Sequence, residues 1–185
     1  MRIISGKYKG REIKGYDLEG TRPTQARVKE SLFAKIQDYL QDSCCLDLFA
    51  GSGNLGIEAL SNGAKSVVFV DASREAVSTI KENLRNFSID NCVLYHMDYQ
   101  KALAKLKEEG ILFDVIFLDP PYKKEYIKHI LPELKNSLLK ENGIVVCEVS
   151  DKTYLETSPF PVFKEGKYND KWVVIFKKTL YNEDR

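Results

Sequence analysis

Long apolar runs are the first thing this sequence lacks. No stretch approaches the roughly 18 residues that argue for a membrane-spanning helix, so no span is expected. Cysteine is scarce: Cys44, Cys45, Cys92 and Cys147 show no C-x-x-C spacing and two are adjacent. That pattern suits reduced core residues, and neither a metal site nor a disulfide framework is assigned. Met1-Arg2-Ile3-Ile4 turns charged and polar too early for the apolar stretch of a secretory signal, which makes the cytoplasm the expected compartment. The only two histidines, His96 and His129, have no carboxylate partner nearby in sequence and read as structural. There is also no repeat, low-complexity stretch or linker, so 185 residues fit one domain.

What is present is ordinary in amount and uneven in placement. The formal net charge is only +1, yet residues 1–29 carry eight basic residues against three acidic ones. That local excess of five leaves about −4 for the rest of the chain. A basic leading segment is either a phosphate-contacting surface or a solvated arm. Residues 2–15 alternate short apolar and basic stretches around Gly6 and Gly10, which suits a small hairpin appended to the core. In such a hairpin Lys7, Lys9 and Arg11 would share one face and track a phosphate backbone.

After Arg22-Pro23, Thr24 can cap a helix whose apolar positions are Val28, Leu32, Ile36, Tyr39 and Leu40. From there, apolar runs at 45–50, 67–70, 93–95, 115–118 and 144–149 read as buried strands. Between them, Val77, Ile80, Leu84 and Phe87 recur at helical spacing, as do Ala102, Leu103 and Leu106. Strand and helix in alternation predict an α/β, doubly wound, parallel sheet with helices on both faces. The runs at 160–163 and 172–176 have no helical pattern between them and predict an antiparallel hairpin closing one edge.

Three places carry chemistry. Where the first strand turns into a helix, Gly51, Gly53 and Gly56 match G-x-G-x-x-G, which lets a ligand approach the helix N-terminus. Asp71 ends the second strand twenty positions after Gly51, placed either to grip ribose hydroxyls or to cap a helix. Asp98 ends the third, placed either to accept from an adenine amine or to cap the helix beginning near Gln100. The decisive motif is Asp119-Pro120-Pro121-Tyr122, directly after the fourth run. Two prolines cannot continue a central strand, and they stiffen the chain where it leaves the sheet. A carboxylate with adjoining carbonyls can take both hydrogens of an aromatic amine while the Tyr122 ring stacks on the flipped base. Drawing both N–H bonds toward acceptors favours a pyramidal nitrogen whose lone pair can attack an electrophilic methyl in line.

Taken together, Asp47-Leu48-Phe49-Ala50-Gly51-Ser52-Gly53, Asp71, Asp98 and Asp119-Pro120-Pro121-Tyr122 resemble a class I methyltransferase that modifies amines. Residues 1–11, with Thr21-Arg22-Pro23-Thr24 and residues 27–33, narrow this. They resemble the bacterial small-subunit ribosomal RNA guanine-N2 methyltransferases, the RsmD-like family, almost end to end. The resemblance implies a mostly parallel seven-stranded Rossmann-like sheet over residues 21–185, with a basic hairpin over 1–20. It implies S-adenosylmethionine as cofactor, and as partner the 16S rRNA of the assembled or assembling small subunit, acted on by a monomer. It places Asp119, Pro120, Pro121 and Tyr122 in catalysis. Arg22, Thr24, Asp47, Phe49, Ala50, Gly51, Gly53, Asp71, Asp98 and Tyr99 fall at the cofactor, and Lys7, Lys9, Arg11 and Arg27 at RNA. Two positions depart from the pattern: Asn54 stands where a small residue is common, and Asn169 follows Tyr168 where a glycine is usual.

Other readings use parts of the same pattern. A nicotinamide dehydrogenase would need the glycines and Asp71 but not Asp119-Pro120-Pro121-Tyr122. A DNA adenine-N6 methyltransferase shares that box but normally carries a larger recognition region. An amino-methyltransferase for another RNA, or a silent RNA-binding assembly protein, would keep the scaffold.

Overall fold

The structure is a computed structural model. It describes residues 1–15, 23–120 and 126–179, and the side chains of these except at 23–25 and 154. Five helices and seven strands follow the leading segment: α1 (Pro23–Ile36), β1 (Cys44–Asp47), α2 (Asn54–Ser61), β2 (Ser66–Asp71), α3 (Arg74–Phe87), β3 (Cys92–His96), α4 (Tyr99–Glu108), β4 (Phe113–Leu118), α5 (Tyr126–Ser137), β5 (Leu139–Val149), β6 (Val162–Tyr168) and β7 (Lys171–Lys177). The strands form one sheet in the order β3-β2-β1-β4-β5-β7-β6. β1 to β5 run parallel, β7 runs antiparallel to β5, and β6 pairs antiparallel with β7 at the edge.

Both faces of the sheet are covered, which is why its strands are apolar on both sides. On one side Phe33 and Ile36 of α1, Ile57 of α2 and Ile80, Leu84 and Phe87 of α3 pack against Cys45, Phe69, Val115 and Phe117. On the other, Ala102, Leu103 and Leu106 of α4 and Ile127, Ile130 and Leu134 of α5 pack against Leu46, Ile116, Leu118 and Cys147. α3 follows its predicted pattern end to end, and its N-cap Ser73 accepts the Ala76 N–H at 3.3 Å.

Several elements begin or end elsewhere than expected. α1 starts at Pro23, so Thr24 lies in its first turn instead of capping it. Proline suits that first position because its missing N–H has no helical partner there. β5 starts at Leu139, earlier than the apolar run, because a ladder needs backbone partners and not apolar side chains. The connection expected between the last two strands is mostly strand itself. β6 runs to Tyr168 and the chain reverses through Asn169 and Asp170, with Asn169 at φ +56°. That left-handed conformation, which glycine adopts freely and asparagine tolerates, accounts for the substitution there.

The leading segment is a small hairpin closed by one bridge, Arg2 opposite Glu12, with Ile3 N–H donating to Arg11 O at 3.0 Å. It does not stand off the core, because Ile3, Tyr8 and Ile13 are buried within it. Nor do Lys7, Lys9 and Arg11 alternate along one extended face, since residues Gly6–Tyr8 form a 3-10 turn. Two polar anchors that sequence reasoning passed over hold the segment down. The fully buried Glu58 of α2 accepts the N–H groups of Ile4 and Ser5, each at 3.0 Å, and pairs with Lys29 of α1 at 2.8 Å. Lys29 also donates to Arg2 O at 2.8 Å and to Asn54 Oδ1 at 2.7 Å, which gives the second departure from the family pattern a structural role.

Candidate active site

A parallel sheet offers a ligand crevice at the carboxyl ends of the strands where the order reverses. Here that point lies between β1 and β4, since β2 and β3 continue to one side of β1 and β4 and β5 to the other. The glycine loop leaves β1 at this place and Asp119-Pro120 leaves β4 beside it, with Asp47 and Phe117 in register.

The loop is fixed from three directions. Asp47, 2% exposed, accepts the Gly56 N–H at 3.0 Å. Asp71 Oδ2 accepts the Gly51 N–H at 2.8 Å, and its Oδ1 accepts the Ser73 N–H at 2.8 Å. The buried Asn83 of α3 donates to Ser52 O at 2.9 Å and to Lys14 O at 3.0 Å, tying the loop to the leading hairpin. Gly51 has φ +55°, and a side chain added there would meet no described atom within 4 Å, so the main chain is open to a ligand. Gly56 is required for the opposite reason, because an added Cβ would lie 2.2 Å from the Phe69 ring.

Asp71 is therefore not the helix cap, since Ser73 has that role. Asp98 is one: it is the N-cap of α4 and accepts the Gln100 N–H at 2.8 Å. Its side chain is exposed on the same rim. Ala50 N–H donates to Val70 O at 3.0 Å, joining the loop to β2. Phe49 and Tyr99 face one another with ring centroids 5.5 Å apart, and Tyr126 completes the cluster 5.1 Å from Tyr99.

The electrostatics are those of carboxyls crowded at one rim. Burial raises Asp47 to about 7, opposed by the Gly56 N–H and reinforced by the charge of Asp71. Asp119 is also held above the ordinary carboxylate range, first by the protein atoms packed behind it, then by Glu148, with Lys171 opposing. Its outer edge stays open to water, which tempers the desolvation. The cysteines are all free, and burial pushes the Cys45 thiol up to about 12, far from a reactive thiolate. Among the described residues, no group of three or more His, Cys, Asp or Glu is placed to hold a metal ion, and no helix is long and apolar enough to cross a membrane.

The structure thus brings Asp47, Phe49, Ala50, Gly51, Gly53, Asp71, Asp98, Tyr99, Asp119 and Pro120 to the carboxyl ends of adjoining strands. Arg22, Pro121 and Tyr122 lie outside the described residues, as does the side chain of Thr24. Of the basic set, Lys7, Lys9, Arg11 and Arg27 are exposed. Lys29, counted in the local positive excess, is buried against Glu58 and adds nothing to the surface. Arg2 and Lys14 are paired with Glu12 and Glu82. Of the missed residues Glu58 and Asn83, the second carried a signal, since Asn83 interrupts the apolar stripe of α3 between Ile80 and Phe87.

Comparison with known proteins agrees with this geometry. The family model described as Conserved hypothetical protein 95 matches residues 1–177. A protein named Ribosomal RNA small subunit methyltransferase D from Haemophilus influenzae is 37% identical over 169 residues, covering 89% of this chain and 87% of that one. The protein of the same name from Escherichia coli is 31% identical over 160 residues, covering 86% and 79%. Among solved structures, yhhF from Escherichia coli superposes with a TM-score of 0.84 at 27% identity, over 96% of this chain and 97% of that one. The chain therefore belongs to the family described as Conserved hypothetical protein 95, in company with the ribosomal RNA small subunit methyltransferase D proteins.

Proposed function

We propose that this protein is an S-adenosylmethionine-dependent methyltransferase that modifies the exocyclic N2 amine of a guanine in 16S rRNA, within the assembled or assembling small ribosomal subunit. The observation that carries the reading is the placement of Asp119-Pro120 at the end of β4, beside the Asp71-tethered glycine loop of β1. Family relatives named ribosomal RNA small subunit methyltransferase D support it. We read the chain as a single methyltransferase domain, with residues 1–20 as hairpin and 21–185 as core, acting as a cytoplasmic monomer.

S-adenosylmethionine, when bound, supplies a methyl group made electrophilic by the sulfonium sulfur. The residues present fit such a group. The open main chain at Gly51, beside Ala50, admits the amino-acid end of the cofactor, Gly53 turns the loop against the core at φ +80°, and Asp47 lies beneath it. Asp71 accepts two N–H groups, which leaves a carboxylate capacity for ribose hydroxyls. Asp98 would take the adenine amine, with Phe49 and Tyr99 as apolar wall. Arg22 and Thr24 are assigned to the cofactor from the sequence pattern alone. Asp119 and the carbonyls following it accept the two hydrogens of the target amine. This withdraws its lone pair from the ring and aims it at the methyl carbon. Pro120 stiffens the chain that carries these acceptors, and the displaced proton leaves through the acceptors to water. Pro121 and Tyr122 are assigned from the sequence pattern alone, Pro121 to the same stiffening and Tyr122 to stacking on the flipped guanine. Lys7, Lys9 and Arg27 hold the RNA backbone, while Arg11, set over the Phe87 ring, braces the hairpin that carries the first two.

The test is incubation with labelled S-adenosylmethionine and small subunits lacking the modification, followed by mapping of the labelled nucleotide. Label on N2 of one guanine is the expected result. Label on an adenine, or transfer only to DNA, would overturn the reading.

A further inference from the structure

Glu148 is out of place for a strand interior. It is the only charged residue in the otherwise apolar run Ile144-Val145-Val146-Cys147-Glu148-Val149, and β5 has a neighbour on each side. Its carboxylate pairs with Lys171 of β7, and the two side chains are 22% and 38% exposed, so both reach solvent. A half-exposed pair of this kind adds little net stability. Its position is more informative. Leu118 is in register with Cys147, so Asp119 leaves the sheet beside Glu148, and β7 lies next beyond β5. Glu148 alternates with Ile144 and Val146, and Lys171 with Val173 and Ile175, on the α1 side of the sheet. Asp119 stands two residues after Phe117 on that same side.

Across three neighbouring strand ends the chain thus presents an acceptor, an acceptor and a donor, in the order Asp119, Glu148, Lys171. The Watson–Crick edge of guanine presents, in order, the N2 amine, the N1 hydrogen and the O6 oxygen: donor, donor, acceptor. No other standard base has that sequence of groups. Adenine would set its N1 lone pair against the Glu148 carboxylate, and cytosine and uracil each set a lone pair against one of the two carboxylates.

We propose that Glu148 and Lys171 are the residues that select guanine, Glu148 accepting the N1 hydrogen and Lys171 donating to O6, while Asp119 holds the reacting amine. This rests on the guanine-N2 reading above. Lys171 has a second task in the same arrangement, holding the Glu148 carboxylate in place through their ion pair. A site built to hydrogen-bond an N–H rejects an analogue lacking it because the acceptor, once the base covers it from water, is left unpaired.

The experiment compares small subunits reconstituted with 16S rRNA carrying either guanine or 2,6-diaminopurine at the mapped target. The analogue keeps the 2-amine that receives the methyl group. It lacks the N1 hydrogen and replaces O6 with an amine. The parent enzyme should prefer guanine in kcat/KM by roughly ten- to a hundredfold, the discrimination expected of a good bidentate contact. Glu148→Gln should bring the ratio near one or invert it, since its amide can turn to donate to N1 of the analogue. Lys171→Met should lower the ratio in part. The ratio is taken within each variant, so a lower folded fraction does not affect it. A Glu148→Gln ratio equal to the parent's, or an equal loss on both substrates, overturns the assignment. A parent that transfers no methyl to the guanine-bearing subunits overturns the underlying guanine reading, and this inference with it.

Discussion

Asp71 and Gly51 are joined across the first crossover: Asp71 Oδ2 at the end of β2 accepts the Gly51 N–H at 2.8 Å in the loop after β1. One carboxylate therefore shapes the glycine loop and, in the proposed reaction, also meets the ribose. Asp71→Ala should raise the dissociation constant for S-adenosylmethionine by roughly ten- to a hundredfold, the loss of charge-assisted hydrogen bonds of about 1.5–3 kcal/mol. Asp71→Asn, which keeps one acceptor for Gly51, should lose less. Calorimetric titration giving unchanged affinity for Asp71→Ala would remove the ribose contact.

The buried Asp47 yields a pH prediction for the ligand-free protein. Its folded carboxyl titrates near 7 against an ordinary value of 3.8, so the folded state holds this proton more tightly than the unfolded chain does. The resulting stabilisation is complete below about 3.8 and is lost as pH rises through about 7. Asp47→Asn keeps an acceptor for Gly56 without a charge. It should therefore raise the ligand-free Tm at pH 8 by several degrees, since about 1 kcal/mol corresponds to roughly 2–4 °C at this size. Near pH 4 the two proteins should melt together. Equal melting at pH 8 would show that Asp47 carries no burdensome charge.

Much of this was legible in the sequence, and the exceptions share a cause. The strands, α3 and the rim carboxylates follow from local periodicity and from positions at strand ends, which are properties of nearby residues. The hairpin reads as an appendage in the sequence because its anchors are distant: Glu58 lies 54 residues from Ile4, and Asn83 lies 69 from Lys14. No local pattern announces such pairings. The same holds for Lys29, whose charge counts toward the surface in the sequence but is enclosed by Glu58 and Asn54 in the fold. Likewise, only the sheet order places Glu148 beside Asp119.

Breaking that buried pair from one side should be severe. Lys29→Met leaves Glu58 uncompensated in the interior and should lower stability by about 3–5 kcal/mol, read as a shift of the urea midpoint with unchanged slope. Glu58→Gln should be milder, because an amide oxygen still serves the Ile4 and Ser5 N–H groups and burial already favours the neutral form of Lys29. The order reversed would mean that the hairpin, not the charge, dominates.

Asp119 should control the rate. Asp119→Ala should lower kcat roughly 100- to 1000-fold, as for loss of one well-placed electrostatic contact, with cofactor affinity within a few-fold of the parent. Because its carboxyl titrates above the ordinary range, kcat/KM should fall on acidification well before pH 4, as the acceptor becomes protonated. The limb belongs to Asp119 only if the other raised carboxyl, Asp47, leaves it in place. Asp47→Asn should therefore shift it little, and a profile flat down to pH 5 would mean that Asp119 is ionised throughout and unperturbed.

The exposed cations of the leading segment divide into struts and contacts. The Arg11 guanidinium lies 4.3 Å from the centroid of Phe87 and donates to the Asn86 carbonyl, so Arg11→Gln should lower stability more than it changes RNA binding. Lys7, Lys9 and Arg27 are exposed, and no ion pair holds them among the described residues. Each phosphate contact releases counterions and contributes roughly 0.7–0.9 to the slope of log affinity against log salt. The triple variant Lys7→Gln, Lys9→Gln, Arg27→Gln should therefore flatten that slope by about two. It should still bind S-adenosylmethionine, since the glycine loop is tethered by Asp71, Asp47 and Asn83 and by none of these three. At physiological salt its activity on small subunits should fall with KM, not with kcat. Retention of both the parental slope and the parental KM would show that these side chains are solvated and that RNA is held elsewhere on the surface.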